Sequence, residues 1–291
     1  MNLFCFGLGY SAQHFIKAYG EHFETIAGTA RSYYAIERLG DPRIKGFMFD
    51  AERADPEIAT ALAQADVLLV SIPPDTSVEP TLAKFGRVLS QLPQQVKIIY
   101  LSTIGVYGDR QGEWVDETRV PVPKQPRSTS RLRAEKAWQA LSRDARKTIQ
   151  ILRLAGIYGP GRNALVQLKN GTAQRVIKPG QVFNRIHVTD ISTAIAAALA
   201  YEGDSDVWNV ADDEPAPPQD VITYAAKLMG IEPPPEEDFE TAPLSAMARG
   251  FYEENKRSAN GKMKEGLGVT LAYPTYRDGL NALWDAGEGR R

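Results

Sequence analysis

Along the first 160 residues the apolar side chains alternate between two rhythms. A short apolar run closed by glycine occupies 2–7, and the segments 25–30, 44–50, 66–74, 96–103 and 148–159 read as further strands. Runs of that kind belong to strands covered on both faces of a parallel sheet. Between them, over 12–23, 57–65, 81–92 and 129–144, apolar residues recur at helical spacing. The alternation predicts an α/β chain with a Rossmann-type, doubly wound parallel sheet. Pro73 and Pro74 are expected to stop the strand at 66–74.

After residue 160 the rhythm changes. Residues 184–203 read as a short extended piece followed by a helix that Asp190 caps. Residues 207–215 read as a strand and turn, and 219–230 as a helix closed by Gly230. The acidic, proline-rich stretch 231–239 reads as a surface connector. The predicted organisation is a sheet domain over 1–160, to which 184–212 returns. A smaller C-terminal substrate lobe takes 161–183 and 213–291.

Composition narrows the partners. With 34 basic and 36 acidic residues the formal net charge is −2, so no global positive field draws nucleic acid or anionic lipid. The single cysteine, Cys5, lies in an apolar run and reads as a buried thiol in a reducing compartment. The N-terminus lacks a signal peptide's basic flank and length. No stretch nears the ~20 apolar residues of a membrane span, so a cytoplasmic protein is expected. Three histidines and one cysteine show no metal-ligand spacing, and no metal is expected.

The candidate chemistry begins at Gly7-x-Gly9-x-x-Ala12, between the first run and the first helix. Gly7 permits a tight turn, Gly9 lets backbone approach a pyrophosphate, and Ala12 allows close strand–helix packing. Tyr10 and Ser11 complete this cofactor-binding loop. At the end of the second run an NAD site usually carries an acidic residue for the ribose hydroxyl. Here Ala30 stands in that slot and Arg31 follows, flanked by Thr29 and Ser32. A guanidinium beside hydroxyls suits a 2′-phosphate, which favours NADP over NAD.

With these motifs the chain resembles the short-chain dehydrogenase/reductase superfamily, in its extended epimerase/dehydratase-like branch. The segments "LSTIGVYGD" (101–109), "LRLAGIYGPGRN" (152–163), "NRIHVTDIS" (184–192) and "WNVADDEP" (208–215) are similar to that branch, and the resemblance covers nearly the whole chain. It implies hydride transfer with a nicotinamide cofactor, an adenine contact at Asp50, and a catalytic Ser/Thr at Thr103. "SIPP", with Ser71 and Pro73, is expected to wall the nicotinamide side. It also implies a Tyr-x-x-x-Lys pair, which is absent: counting back from Glu135 puts Arg131 in the lysine slot and Arg127 in the tyrosine slot.

Arginine has no practicable neutral form and cannot replace tyrosine as a proton donor. Arg127 is expected to stabilise charge or clamp an anion, and Arg131 to hold the cofactor ribose or phosphates. At helical spacing both continue the apolar stripe of Ala134, Ala137, Trp138 and Leu141, and so are expected to face the sheet or the cleft at its edge. An intramolecular salt bridge is the alternative reading. Tyr107 is expected to pack, and Tyr158 and His187 lie in cleft-forming segments, where a lone histidine reads first as a structural residue. The sequence thus predicts an NADP-dependent oxidoreductase, epimerase or dehydratase. Its small-molecule substrate would be a nucleotide-sugar or another anion. The rival is a catalytically silent NADP-binding protein that reports redox state. The helices 77–92 and 129–144 match those that form homodimer bundles in relatives.

Overall fold

The computed structural model describes residues 1–50, 52–75 and 78–290. Seven parallel strands form its central sheet. Five come early: β1 (Asn2–Phe6), β2 (Thr25–Ala30), β3 (Ile44–Met48), β4 (Val67–Val70) and β5 (Lys97–Thr103). The order across the sheet is Asp206–Val210, Thr148–Leu154, β5, β4, β1, β2, β3. Strand order therefore reverses between β1 and β4, and open α/β sheets bind ligands beyond the carboxyl ends at such a point. Phe6 pairs with Val70, so Gly7 and Ser71 leave the sheet side by side.

Successive residues of a strand point to opposite faces. Leu3 and Cys5 of β1 enter one core, with Phe15, Ile16 and Ile195 of the covering helices. Phe4 and Phe6 enter the other, with Phe85, Leu89 and Trp138. Cys5 is fully buried, and burial pushes its thiol pKa up. A smaller core joins Tyr158, Leu165, Ile222, Tyr276 and Leu280 in the C-terminal part.

Several boundaries and roles differ from expectation. The first helix, α1, runs Tyr10–Tyr19, starting earlier because Gly9 is its N-cap. β4 ends at Val70, ahead of Pro73 and Pro74, where Ser71 turns its hydroxyl to Gly7. The helix at 129–144 extends back to Pro126, whose fixed φ suits a first turn. Asp190 does not cap its helix. His187 does, through Nδ1 accepting the Thr189 N–H, while buried Asp190 accepts the N–H groups of Ala272 (2.7 Å) and Tyr273 (3.1 Å). The connector at 231–239 is partly strand: Glu236–Asp238, just past the prolines, pairs with Arg175–Ile177. Ala137 is exposed, not on the buried face. It lines a groove of about 380 Å³ with Leu82 and Ala83 of the helix Pro80–Gln91. The expected start of that helix at residue 77 lies outside the described residues. No helix among the described residues is long and apolar enough to cross a membrane. No cluster of three potential metal ligands occurs among them.

Candidate active site

The glycine loop is built at the sheet's reversal point. Gly7 has φ +92°, and a Cβ there would lie 2.6 Å from Ile72 Cγ2. Only glycine fits that turn without strain. Gly9 is different: a Cβ there would meet nothing within 4 Å. Gly9 gives α1 no side-chain cap, and the first turn carries no acidic residue. Free N–H groups and the positive end of the helix dipole thus face open space. Ser11 and Ala12 are buried and hold the helix to the sheet. This cradle and its donors fit a pyrophosphate.

Two predicted cofactor residues are turned to the loop itself. Thr29 is buried, and its Oγ1 accepts the Gly7 N–H at 3.0 Å. Ser71 Oγ donates to the Gly7 carbonyl at 2.7 Å. Beyond β2, Arg31 is exposed with no ion pair among the described residues. Ser32 caps the short helix Tyr33–Glu37 by accepting the Ala35 N–H. Asp50 accepts the Arg53 N–H at 2.8 Å, a bond that holds its carboxyl below the usual range. Pro73 is exposed past the end of β4.

At the end of β5, Thr103 Oγ1 accepts the Gly105 N–H at 3.1 Å and opens a short 3₁₀ turn. The point where a Gly105 Cβ would sit is 2.7 Å from Ser128 Oγ and 3.4 Å from Thr103 Oγ1. Two hydroxyls thus flank one glycine. The count that located Arg127 and Arg131 passed over Ser128, because the helix start that brings it in lies upstream of the predicted one.

The two arginines part company. Arg131 faces inward: its Nη1 donates to the Tyr100 hydroxyl (3.0 Å) and the Leu101 carbonyl (2.8 Å). Arg127 is exposed and touches Met247 Sδ at 3.4 Å, so its expected place on the buried stripe is corrected. The helix projects beyond the sheet at its first turn, and the buried face begins at Ser130, followed by Ala134, Glu135 and Trp138.

Beneath Thr103 lies a buried polar network. Glu135 accepts the Ser102 hydroxyl (2.5 Å) and the Arg153 guanidinium (2.7 Å). Arg153 donates to the Tyr107 hydroxyl (2.9 Å), which donates to Asn209 Oδ1 (2.8 Å). Tyr107 is therefore part of the scaffold. On the far side, burial pushes the Tyr158 pKa up, and its hydroxyl donates to the Thr275 carbonyl at 3.4 Å. His187 is buried, and desolvation lowers its pKa to about 4. Its Nδ1 accepts a bond, so Nε2 carries the proton, and that atom has no partner among the described residues.

The sequence profile of the NAD dependent epimerase/dehydratase family matches residues 62–211. The chain is 26% identical to Protein YeeZ of Escherichia coli (strain K12), over 78% of this chain and 84% of that one. A functionally unknown conserved protein from Silicibacter pomeroyi DSS superposes with TM-score 0.88 at 43% identity, covering 98% of this chain and 99% of that one. The dTDP-glucose 4,6-dehydratase of Bacillus anthracis, solved in complex with NAD, superposes with TM-score 0.79 at 18% identity. That match covers 99% of this chain and 97% of the other.

Proposed function

The chain belongs to the NAD dependent epimerase/dehydratase family, and from that premise we propose an NADP-dependent oxidoreductase, epimerase or dehydratase acting on an anionic small molecule. A nucleotide-sugar is one such anion. The observation that carries the reading is the glycine cradle. Gly9 has open space before an uncapped helix start, and Arg31 has no ion pair just beyond the neighbouring strand.

In this reading the α1 start and Gly9 hold the diphosphate. Arg31 and Ser32 take the 2′-phosphate, Asp50 borders the adenine, and Ser71 and Pro73 border the nicotinamide end. The bound cofactor supplies hydride exchange at its nicotinamide ring. The Thr103 hydroxyl then orients the reacting oxygen, with Ser128 across Gly105 as a second hydroxyl. Arg131, fastened to Tyr100 and Leu101, sets a fixed positive potential behind Thr103 and toward the cofactor ribose. Exposed Arg127 attracts an anionic substrate at the mouth. Neither arginine gives up a proton near neutral pH. The buried cysteine agrees with a reducing, cytoplasmic setting. The groove between the helices Pro80–Gln91 and Pro126–Ala145 is where a second copy would pack.

A second reading is a silent NADP-binding redox reporter. It is favoured by one observation: the Tyr107 hydroxyl, four residues beyond Thr103, is committed to Asn209 Oδ1. Fluorescence titration with NADPH and NADH tests the cofactor assignment. NADPH is expected to bind more tightly, with Arg31→Ala removing the preference; equal affinities unchanged by the substitution would sink it. Absorbance change of bound NADPH across a panel of nucleotide-sugars and carboxylates separates enzyme from reporter.

A further inference from the structure

We propose that Arg162 binds the diphosphate of the dinucleotide, and that Tyr10 positions it there. The proposal rests on the cofactor reading above.

Residues 159–162 form a tight turn seated on the glycine loop. Gly159 and Arg162 exchange both backbone hydrogen bonds, each at 3.0 Å. The Tyr10 hydroxyl donates to the Pro160 carbonyl at 3.0 Å. Gly159 is needed for this approach, because a Cβ there would stand 2.7 Å from the Tyr10 oxygen. The turn is fastened from the other side too. Glu288 accepts the Gly161 N–H at 3.1 Å and the Asn163 amide at 3.1 Å.

The consequence falls on Arg162. Its guanidinium lies 5.9 Å from the centre of the Tyr10 ring. It is exposed and has no ion pair among the described residues; the Glu288 carboxylate accepts the N–H groups of its neighbours Gly161 and Asn163 instead. Tyr10 is the first residue of α1, directly after Gly9. A cation at a helix N-terminus is unfavourable on its own, because the dipole's positive end faces it. An anion between two such neighbouring positive features reconciles them. A guanidinium matches phosphate oxygens bidentately. A second unpartnered polar group lies close to the turn. Buried His187 Nε2, without a partner, is 3.5 Å from the same Gly159 Cβ position that Tyr10 approaches.

Diphosphate occurs both in the dinucleotide and in a nucleotide-sugar, so the test separates them. Dissociation constants are measured by titration for NADPH, NADH, adenosine 2′-monophosphate and uridine diphosphate. Arg162→Ala is expected to weaken NADPH and NADH alike by about 10-fold, the scale of one charge-assisted contact. Adenosine 2′-monophosphate, which lacks a diphosphate, is expected to bind unchanged, as is uridine diphosphate. Arg162→Lys should recover part of the loss, and Tyr10→Phe, which keeps the ring, should lose less. Unchanged dinucleotide affinity in Arg162→Ala overturns the proposal. So does an equal loss for adenosine 2′-monophosphate, or a loss confined to uridine diphosphate. A wild-type protein that binds neither dinucleotide overturns the cofactor reading itself, and this proposal with it.

Discussion

The Arg153 guanidinium meets the Glu135 carboxylate at 2.7 Å, both side chains almost wholly buried. Glu135 lies four residues beyond Arg131, so the pair fixes the helix that carries both candidate arginines to the strand Thr148–Leu154. Removing one member strands the other charge in the core. Glu135→Ala is expected to cost about 3–5 kcal/mol of stability, whereas replacing both partners by apolar residues of similar size costs far less. Urea unfolding measures both variants. A single substitution costing under about 1 kcal/mol would show that Arg153 finds another partner.

What the sequence revealed and what it hid follow from the range of the forces involved. The central strands β1 and β4 are covered on both faces, so 3–6 and 67–70 are written locally as unbroken apolar stretches. Gly7 was legible because its backbone geometry, with φ +92°, is a local demand. Helical periodicity correctly turned Arg131 inward. It could not say where the helix outruns the sheet, which is why Arg127 is exposed. Partners far apart in sequence left no local trace. Tyr10 and Pro160 are 150 residues apart, and Asp190 reaches Ala272 across 82. Asp190 has the composition of a cap, and only the tertiary fold gives it another task.

The two loop glycines should separate folding from binding. Gly7→Ala forces an alanine into φ +92° and against Ile72, and is expected to destabilise the fold by about 2 kcal/mol. Gly9→Ala meets no protein atom and has an ordinary φ of −85°. It should keep stability within about 1 kcal/mol and still lose most dinucleotide affinity, because the methyl occupies phosphate space. Thermal unfolding alongside NADPH titration checks this. Full NADPH affinity in a folded Gly9→Ala protein would remove the glycine cradle from the cofactor site.

Asp212 should make the protein less stable at higher pH. It is buried, one oxygen accepts the Glu214 N–H at 3.2 Å, and the other has no partner among the described residues. Burial pushes its pKa up to about 8, against the pull of nearby Arg185. Between about pH 4 and about pH 8 the folded chain therefore holds one proton more than the unfolded chain. Stability from this group is complete below about pH 4 and is lost as pH rises toward 8, at up to about 1.4 kcal/mol per unit. Asp212→Asn should flatten that slope relative to wild type in urea unfolding from pH 5 to 8. Parallel slopes would mean that the carboxylate is ionised throughout.

His187 should act in the opposite direction on the acid side. Burial first, and the charge of His14 second, lower its pKa from the ordinary 6.5 to about 4. In that window the unfolded chain binds the proton and the folded chain does not. The group's stability is therefore fully present above about pH 6.5 and is lost as pH falls through about 4, by up to about 3 kcal/mol. The substitution that isolates this effect must keep the cap, since His187 Nδ1 accepts the Thr189 N–H. Asparagine does so, because its side-chain oxygen is a favoured N-cap acceptor. His187→Asn is thus expected to lose the acid-side slope, so that its stability relative to wild type rises as pH falls from 6.5 to 4. His14→Gln should remove only a minor part of that slope, because desolvation, not the neighbouring imidazole, dominates. If His187→Asn retains the wild-type slope between pH 6.5 and 4, the buried imidazole is not its source.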